Sequence, residues 1–176
     1  MISIGIDARL TYYRDGGIST YIRQLVNALE SCDEDNQYTI FHSWKDKRRI
    51  TKQFQSNILY TPAHHRLERL ALSVELGWRG LDVFHSPDFI PPLYAARKHV
   101  ITVHDLTFLH YPQYLTSDSR SYYNQQIQSS VQHADHILAV SHATKIDIIN
   151  MLSVSESKIT VQPHGVGTQF RPLNAQ

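Results

Sequence analysis

A chain of 176 residues, 41% apolar and 19% charged, is long enough to bury one core and too apolar to remain disordered. Its formal net charge of +1 argues against nucleic-acid binding driven by charge alone, and its single cysteine, Cys32, excludes an internal disulfide framework. The N-terminal MISIGIDARL lacks the charged start and apolar run of a signal peptide, and no stretch approaches the ~18 apolar residues of a membrane span, so the expected location is the cytoplasm.

Residues 2–8 (ISIGIDA) read as a buried first strand. Residues 9–17 form a polar loop that ends in Gly16-Gly17. Ile18, Tyr21, Ile22, Leu25, Val26 and Leu29 then recur at helical spacing through residue 31. Segments 37–42 and 57–60 read as strands. Residues 63–79 read as a helix with Leu67, Leu70, Ala71, Val74 and Trp78 on one face. Strands at 82–85 and 98–103 follow, then a helix at 117–134 with Tyr122, Tyr123, Ile127 and Val131 facing inward. After a strand at 136–140, Ser141 is placed to cap a helix at 142–152. A last strand at 158–162 runs into Pro163. Strands that are apolar on both faces and alternate with helices predict an α/β, Rossmann-like three-layer domain with a mostly parallel sheet. The domain is expected over residues 1–166, with 167–176 starting a crossing or tail.

In open parallel sheets ligands bind beyond the carboxyl ends of the strands, so residues just after strands carry the chemical interest. Gly16-Gly17 stand before the first helix, whose N-terminus offers free amides and a positive dipole end; a plain turn is the alternative. His104-Asp105 end a central strand, where an imidazole can meet a sugar hydroxyl or a developing charge; a capping pair is the alternative. His85 precedes a polar turn and Ser141 a helix. His164-Gly165 follow the last strand. The eleven histidines show no metal-ligand spacing, and neither GxGxxG, GxSxG nor a P-loop occurs, so no metal or cofactor is expected. Lys45, Lys47, Arg48, Arg49 and Lys52 beside Trp44 read either as a solvated loop or as a surface for an anionic acceptor or membrane.

These pieces in this order resemble the N-terminal domain of family 4 glycosyltransferases. The shared segments are GGISTYIRQL, DVFHSP, VITVHDL, ADHILAVSHATKIDI and KITVQPHGV followed by FRP. The family turn is commonly PNGVD, where this chain has His164 and Gly167 in place of Asn and Asp. The resemblance implies one half of a GT-B fold, and a retaining, hexosyl-type transfer from a nucleotide-sugar co-substrate to a sugar or lipid-linked acceptor. It implies that this half holds the acceptor. A C-terminal donor-binding domain, in the same or a separate chain, would complete the enzyme, and this chain alone would be inactive. Gly16 and Gly17 would lie near the donor diphosphate or acceptor, and His104 beside the transferred sugar. Asp105 would orient the loop, Ser141 would cap a helix at the cleft, and residues 163–167 would begin the crossing. The other readings are a non-catalytic glycan-, lipid- or protein-binding module of the same fold and an unrelated flavodoxin-type binder.

Overall fold

The computed structural model of the chain describes residues 1–13, 15–167 and 170. Seven strands form one all-parallel sheet: β1 (Ser3–Asp7), β2 (Gln37–Ser43), β3 (Gln55–Leu59), β4 (Leu81–Ser86), β5 (Ala96–Val103), β6 (His136–Ala139) and β7 (Ile159–Val161). Their order is β3-β2-β1-β4-β5-β6-β7, so the chain winds outward from β1 in one direction and then in the other. The helices are α1 (Leu10–Tyr13), α2 (Gly17–Cys32), α3 (Glu68–Leu76), α4 (Thr107–His110), α5 (Ser117–His133) and α6 (His142–Leu152). The expected elements are all present, with ends shifted by a few residues. Two differences are larger: the 9–17 loop contains the short α1, and the helix expected over 63–79 is regular only in α3.

Alternation along the strands separates the layers. Ile6, Tyr38 and Ile40 pack on one face against Ile22 and Val26 of α2. Phe41, Leu59 and Phe84 point to the other face and, with Leu81 at the start of β4, meet Leu72 and Leu76 of α3. Ile101, Val103, Ile137 and Ala139 continue that second face and bury Ile127 and Val131 of α5 with Ile148 and Leu152 of α6. One long helix therefore covers one side of the sheet and three cover the other.

Gly5 sits where this packing is tightest. A Cβ there would lie 2.7 Å from Leu81 Cδ1 and 2.9 Å from both Phe41 Cε2 and Phe84 Cδ2. Three buried side chains would have to move together. Gly5→Val is expected to cost about 1–3 kcal/mol by overpacking, read as a lower urea midpoint with an unchanged m-value. A wild-type midpoint would mean that this part of the core is looser than its distances state.

The stripe Leu67, Leu70, Val74 and Trp78 does not face the core. These side chains are 59%, 55%, 80% and 72% exposed, while Glu68 and Arg69 of the same helix are buried. The buried charges have specific partners: Glu68 accepts from Arg9, and Arg69 Nε donates to Pro91 O at 3.0 Å. Leu72 and Leu76 supply the packing, so the helix is apolar on both sides and polar in its buried seam.

Candidate active site

The parallel sheet brings its strand ends to one edge, and two groups of polar side chains meet there. The first surrounds Tyr21 of α2. Its ring stands edge-on to His104, with centroids 5.1 Å apart, and 4.7 Å from His164, whose ring is 5.4 Å from His104. His104 immediately follows β5, and its Nε2–H donates to the Pro87 carbonyl at 2.9 Å. A carbonyl only accepts, so in the neutral ring Nδ1 is left as the acceptor. Behind these rings, His85 Nε2 lies 2.9 Å from Thr102 Oγ1, which lies 3.3 Å from Tyr21 Oη. Ser141 Oγ accepts the Thr144 amide at 3.0 Å, and Thr144 Oγ1 donates to the His104 carbonyl at 3.2 Å. The N-cap of α6 thus helps to fix the backbone of His104.

Burial and the neighbouring His104 push His85 down to about 4, and burial followed by the same neighbour also lowers His164. His99, buried beside His133, is likewise down at about 4. A histidine with a depressed folded pKa stabilises the fold above its unfolded value, about 6.5, and loses that contribution as protons are taken up below it. The melting temperature is therefore expected to hold above about pH 6.5 and to fall steadily toward pH 4. A profile flat across that window would show that these rings are not buried as neutral groups.

The second group was not anticipated from the sequence. Arg9, just past β1, is 1% exposed. Its Nε donates to Asp7 Oδ1 at 2.9 Å and its Nη2 to Asp7 Oδ2 at 2.7 Å; Nη2 also reaches Glu68 Oε1 at 2.6 Å, and Nη1 the Thr61 carbonyl at 2.8 Å. Burial opposes the charge on Arg9, but Asp7 and then Glu68 more than offset it, so the guanidinium is held protonated. Glu68 shares that cation with Asp7, and burial raises its pKa despite Arg9. The other oxygen of Glu68 accepts the His64 amide at 2.6 Å. His64 has φ 59, a left-handed conformation uncommon away from glycine, and its Nε2 stands 3.6 Å from Asp88 Oδ2. Burial raises Asp88, and His64 moderates the rise.

His64 and Asp88, with Tyr13, Asp15, Phe89 and Tyr123, line a cavity of about 700 Å³ whose rim is Gly16, Gly17 and the first turn of α2. A groove of about 470 Å³ lies on the other side of Gly17, between α2 and residues 162–167, and includes Tyr21, His164 and Gly165. A Cβ built on Gly16 or Gly17 meets nothing within 4 Å. Neither glycine has a positive φ. Asp105 is exposed, and its Oδ1 accepts the Thr107 amide at 2.9 Å, shaping the turn into α4. The expected start of the crossing is described through Gly167 and at Phe170; Arg171, Pro172 and the rest of the 167–176 tail lie outside the described residues. Among the described residues, no group of three or more His, Cys, Asp or Glu could hold a metal ion, and no helix is long and apolar enough to cross a membrane.

A parallel sheet layered between helices, with a glycine-headed helix and a polar cavity at its carboxyl edge, is a Rossmann-like α/β domain. More narrowly, the chain belongs to Glycosyltransferase Family 4, whose family model matches residues 15–170. Among solved structures it is similar to the apo form of the lipopolysaccharide outer core galactosyltransferase WaaB, with TM-score 0.56 and 19% identity over 96% of this chain and 47% of that one. It is also similar to a glycosyltransferase from Rickettsia africae ESF-5, with TM-score 0.52 and 12% identity over 94% of this chain and 43% of that one. At these identities the likeness is one of fold. The chain spans about half the length of the solved structures it matches. No curated protein matches it.

Proposed function

We propose that this chain is the acceptor-binding half of a retaining glycosyltransferase that moves a hexosyl group from a nucleotide-sugar to a sugar or lipid-linked acceptor in the cytoplasm. The observation that carries the reading is the cavity of about 700 Å³ beside the glycine head of α2, with His104 at the same sheet edge. Phe89, Tyr13 and Tyr123 offer apolar ring faces to the C–H side of a sugar, and Asp15, Asp88 and His64 offer polar groups to its hydroxyls. The N-terminus of α2 presents free amides and a positive dipole end to a diphosphate, which suits a donor held without a metal. His104 acts beside the transferred sugar, accepting or donating a hydrogen bond as charge develops. His85 and Ser141 hold its surroundings, His164 and Gly165 lie on the route to a donor-binding domain, and Asp105 sets the loop.

Such a domain, in the same or a separate chain, would supply the groups that hold the nucleotide. The test is transfer of labelled sugar from a nucleotide-sugar by this chain, alone and mixed with candidate donor-binding halves. Transfer in a mixture and none by the chain alone is the expected result. Transfer by the chain alone would overturn the division of labour. A folded chain that binds saccharide and transfers nothing in any mixture would favour a non-catalytic binding module.

A further inference from the structure

We infer that the buried Arg9–Glu68 pair is a positioning device: it sets His64 opposite Asp88, and those two side chains grip one hydroxyl group of the acceptor. The inference rests on the reading of the cavity of about 700 Å³ as the acceptor site. Three observations meet at His64. Its backbone is left-handed, with φ 59, a conformation that a residue other than glycine keeps only where its surroundings impose it. Its amide donates to Glu68 Oε2 at 2.6 Å. Its ring lines the cavity, with Nε2 3.6 Å from Asp88 Oδ2. The contact that imposes the backbone conformation is the one from Glu68. That carboxylate is itself fixed, because its other oxygen accepts from Arg9 Nη2 at 2.6 Å, and Arg9 is clamped by Asp7 and the Thr61 carbonyl. The line of contacts thus runs from the end of β1 through the head of α3 to the cavity wall.

This role explains why charged groups stand in the core. A buried arginine–carboxylate pair contributes little stability beyond that of apolar residues of the same volume. Apolar residues could not hold the His64 amide. Glutamine could not do both tasks at position 68 either, since a carboxylate has two accepting oxygens and an amide has one. At the other end of the line, 3.6 Å is too long for a hydrogen bond, so His64 Nε2 and Asp88 Oδ2 each keep bonding capacity. Asp88 Oδ1 accepts the Phe89 amide at 2.8 Å, which fixes the carboxyl group and leaves Oδ2 to the cavity. A hydroxyl oxygen seated about 2.8 Å from both atoms would donate to Oδ2 and accept from Nε2–H. The titratable groups facing Asp88 are His64, His104 and Asp7, and of these only His64 lines the cavity with it. Phe89 brings an apolar ring to the same wall, suited to the C–H face of a sugar. His64 and Asp88 are then specificity-determining residues, and Glu68 and Arg9 act through His64.

The first test follows the Asp88 carboxyl by carbon NMR through an acid titration of the 176-residue chain, without substrate. His64 opposes the rise that burial gives Asp88, so His64→Gly should raise it further. Glu68→Gln should raise it in the same way, and the two substitutions together no more than either alone. Removing the negative charge of Glu68 would by itself lower Asp88, so a rise is the mark of a displaced His64. An Asp88 that stays put or falls in Glu68→Gln would overturn the positioning. The second test is transfer by the assembled enzyme. His64→Gly leaves the buried pair intact and suits the left-handed backbone, so its urea midpoint should not fall. Its acceptor KM is expected to rise about tenfold with the donor KM unchanged. Glu68→Gln should raise the acceptor KM by a similar factor, and the double variant no further, because Glu68 acts through His64. An acceptor KM unchanged in His64→Gly would overturn the grip on the hydroxyl, and additive effects would overturn the route through His64. Absence of transfer in every mixture, with the Asp88 titrations as expected, would strike the acceptor reading and leave the positioning of His64 standing.

Discussion

Replacing Arg9 by methionine is expected to lower the unfolding free energy by about 3–5 kcal/mol, the range seen when one member of a buried charge network is removed. Methionine can keep much of the volume, so the loss would be electrostatic. Asp7 would lose its three guanidinium hydrogen bonds, and Glu68 its cation, in a buried site. The Thr61 carbonyl would lose its donor as well. Urea unfolding at neutral pH measures the loss. The sign of its pH dependence is a second check: burial already raises Glu68, and once Arg9 is gone that carboxyl should bind a proton more readily in the folded state than in the unfolded one. The variant should then recover part of its deficit as pH falls toward 5, before histidine protonation dominates. A loss below about 1 kcal/mol would mean that water reaches the network.

The second large effect rests on the proposed transfer. His104→Ala is expected to reduce turnover of the assembled enzyme about 100-fold or more, with the urea midpoint of this chain nearly unchanged. The imidazole is half-buried and makes one hydrogen bond, to Pro87 O, with edge contacts to Tyr21 and His164. These contacts hold the ring rather than the fold. His104→Gln keeps a donor near Pro87 O and lacks the ring, so a partial rescue would assign hydrogen bonding and no rescue would assign the imidazole itself. Turnover within about twofold of wild type in the alanine variant would remove His104 from the chemistry.

The sheet was legible because parallel strands are apolar on both faces, and β1, β4, β5 and β6 carry runs such as ISIGI and VITV. The strand-end rule located His104, His164 and Ser141 at one edge, since it needs only the ends of strands. It could not place Tyr21, which periodicity counts among the apolar residues of α2 although its hydroxyl reaches Thr102. Arg9 and Asp7 were visible at the end of β1, but their burial depends on Glu68, 59 residues further along the chain. The outward stripe of α3 shows the limit of periodicity most clearly. A hydrophobic face is detectable from spacing, but Leu72 and Leu76 define an equally apolar inner face, and only the packing against Phe41 and Phe84 decides between them.

The open space around Gly16 and Gly17 has a consequence for the balance between robustness and access. Glycine inside a helix, as at Gly17, forgoes roughly 0.5–1 kcal/mol relative to alanine, whereas at an N-cap such as Gly16 it does not. Neither position needs glycine for steric reasons, since a methyl group would touch no protein atom and the backbone is not left-handed. A methyl group would instead project into solvent-filled space beside the cavity and the groove, where it would thicken the wall that a bound molecule must approach. The head of α2 is thus a place where greater thermal resilience and a closer fit to ligand pull in opposite directions.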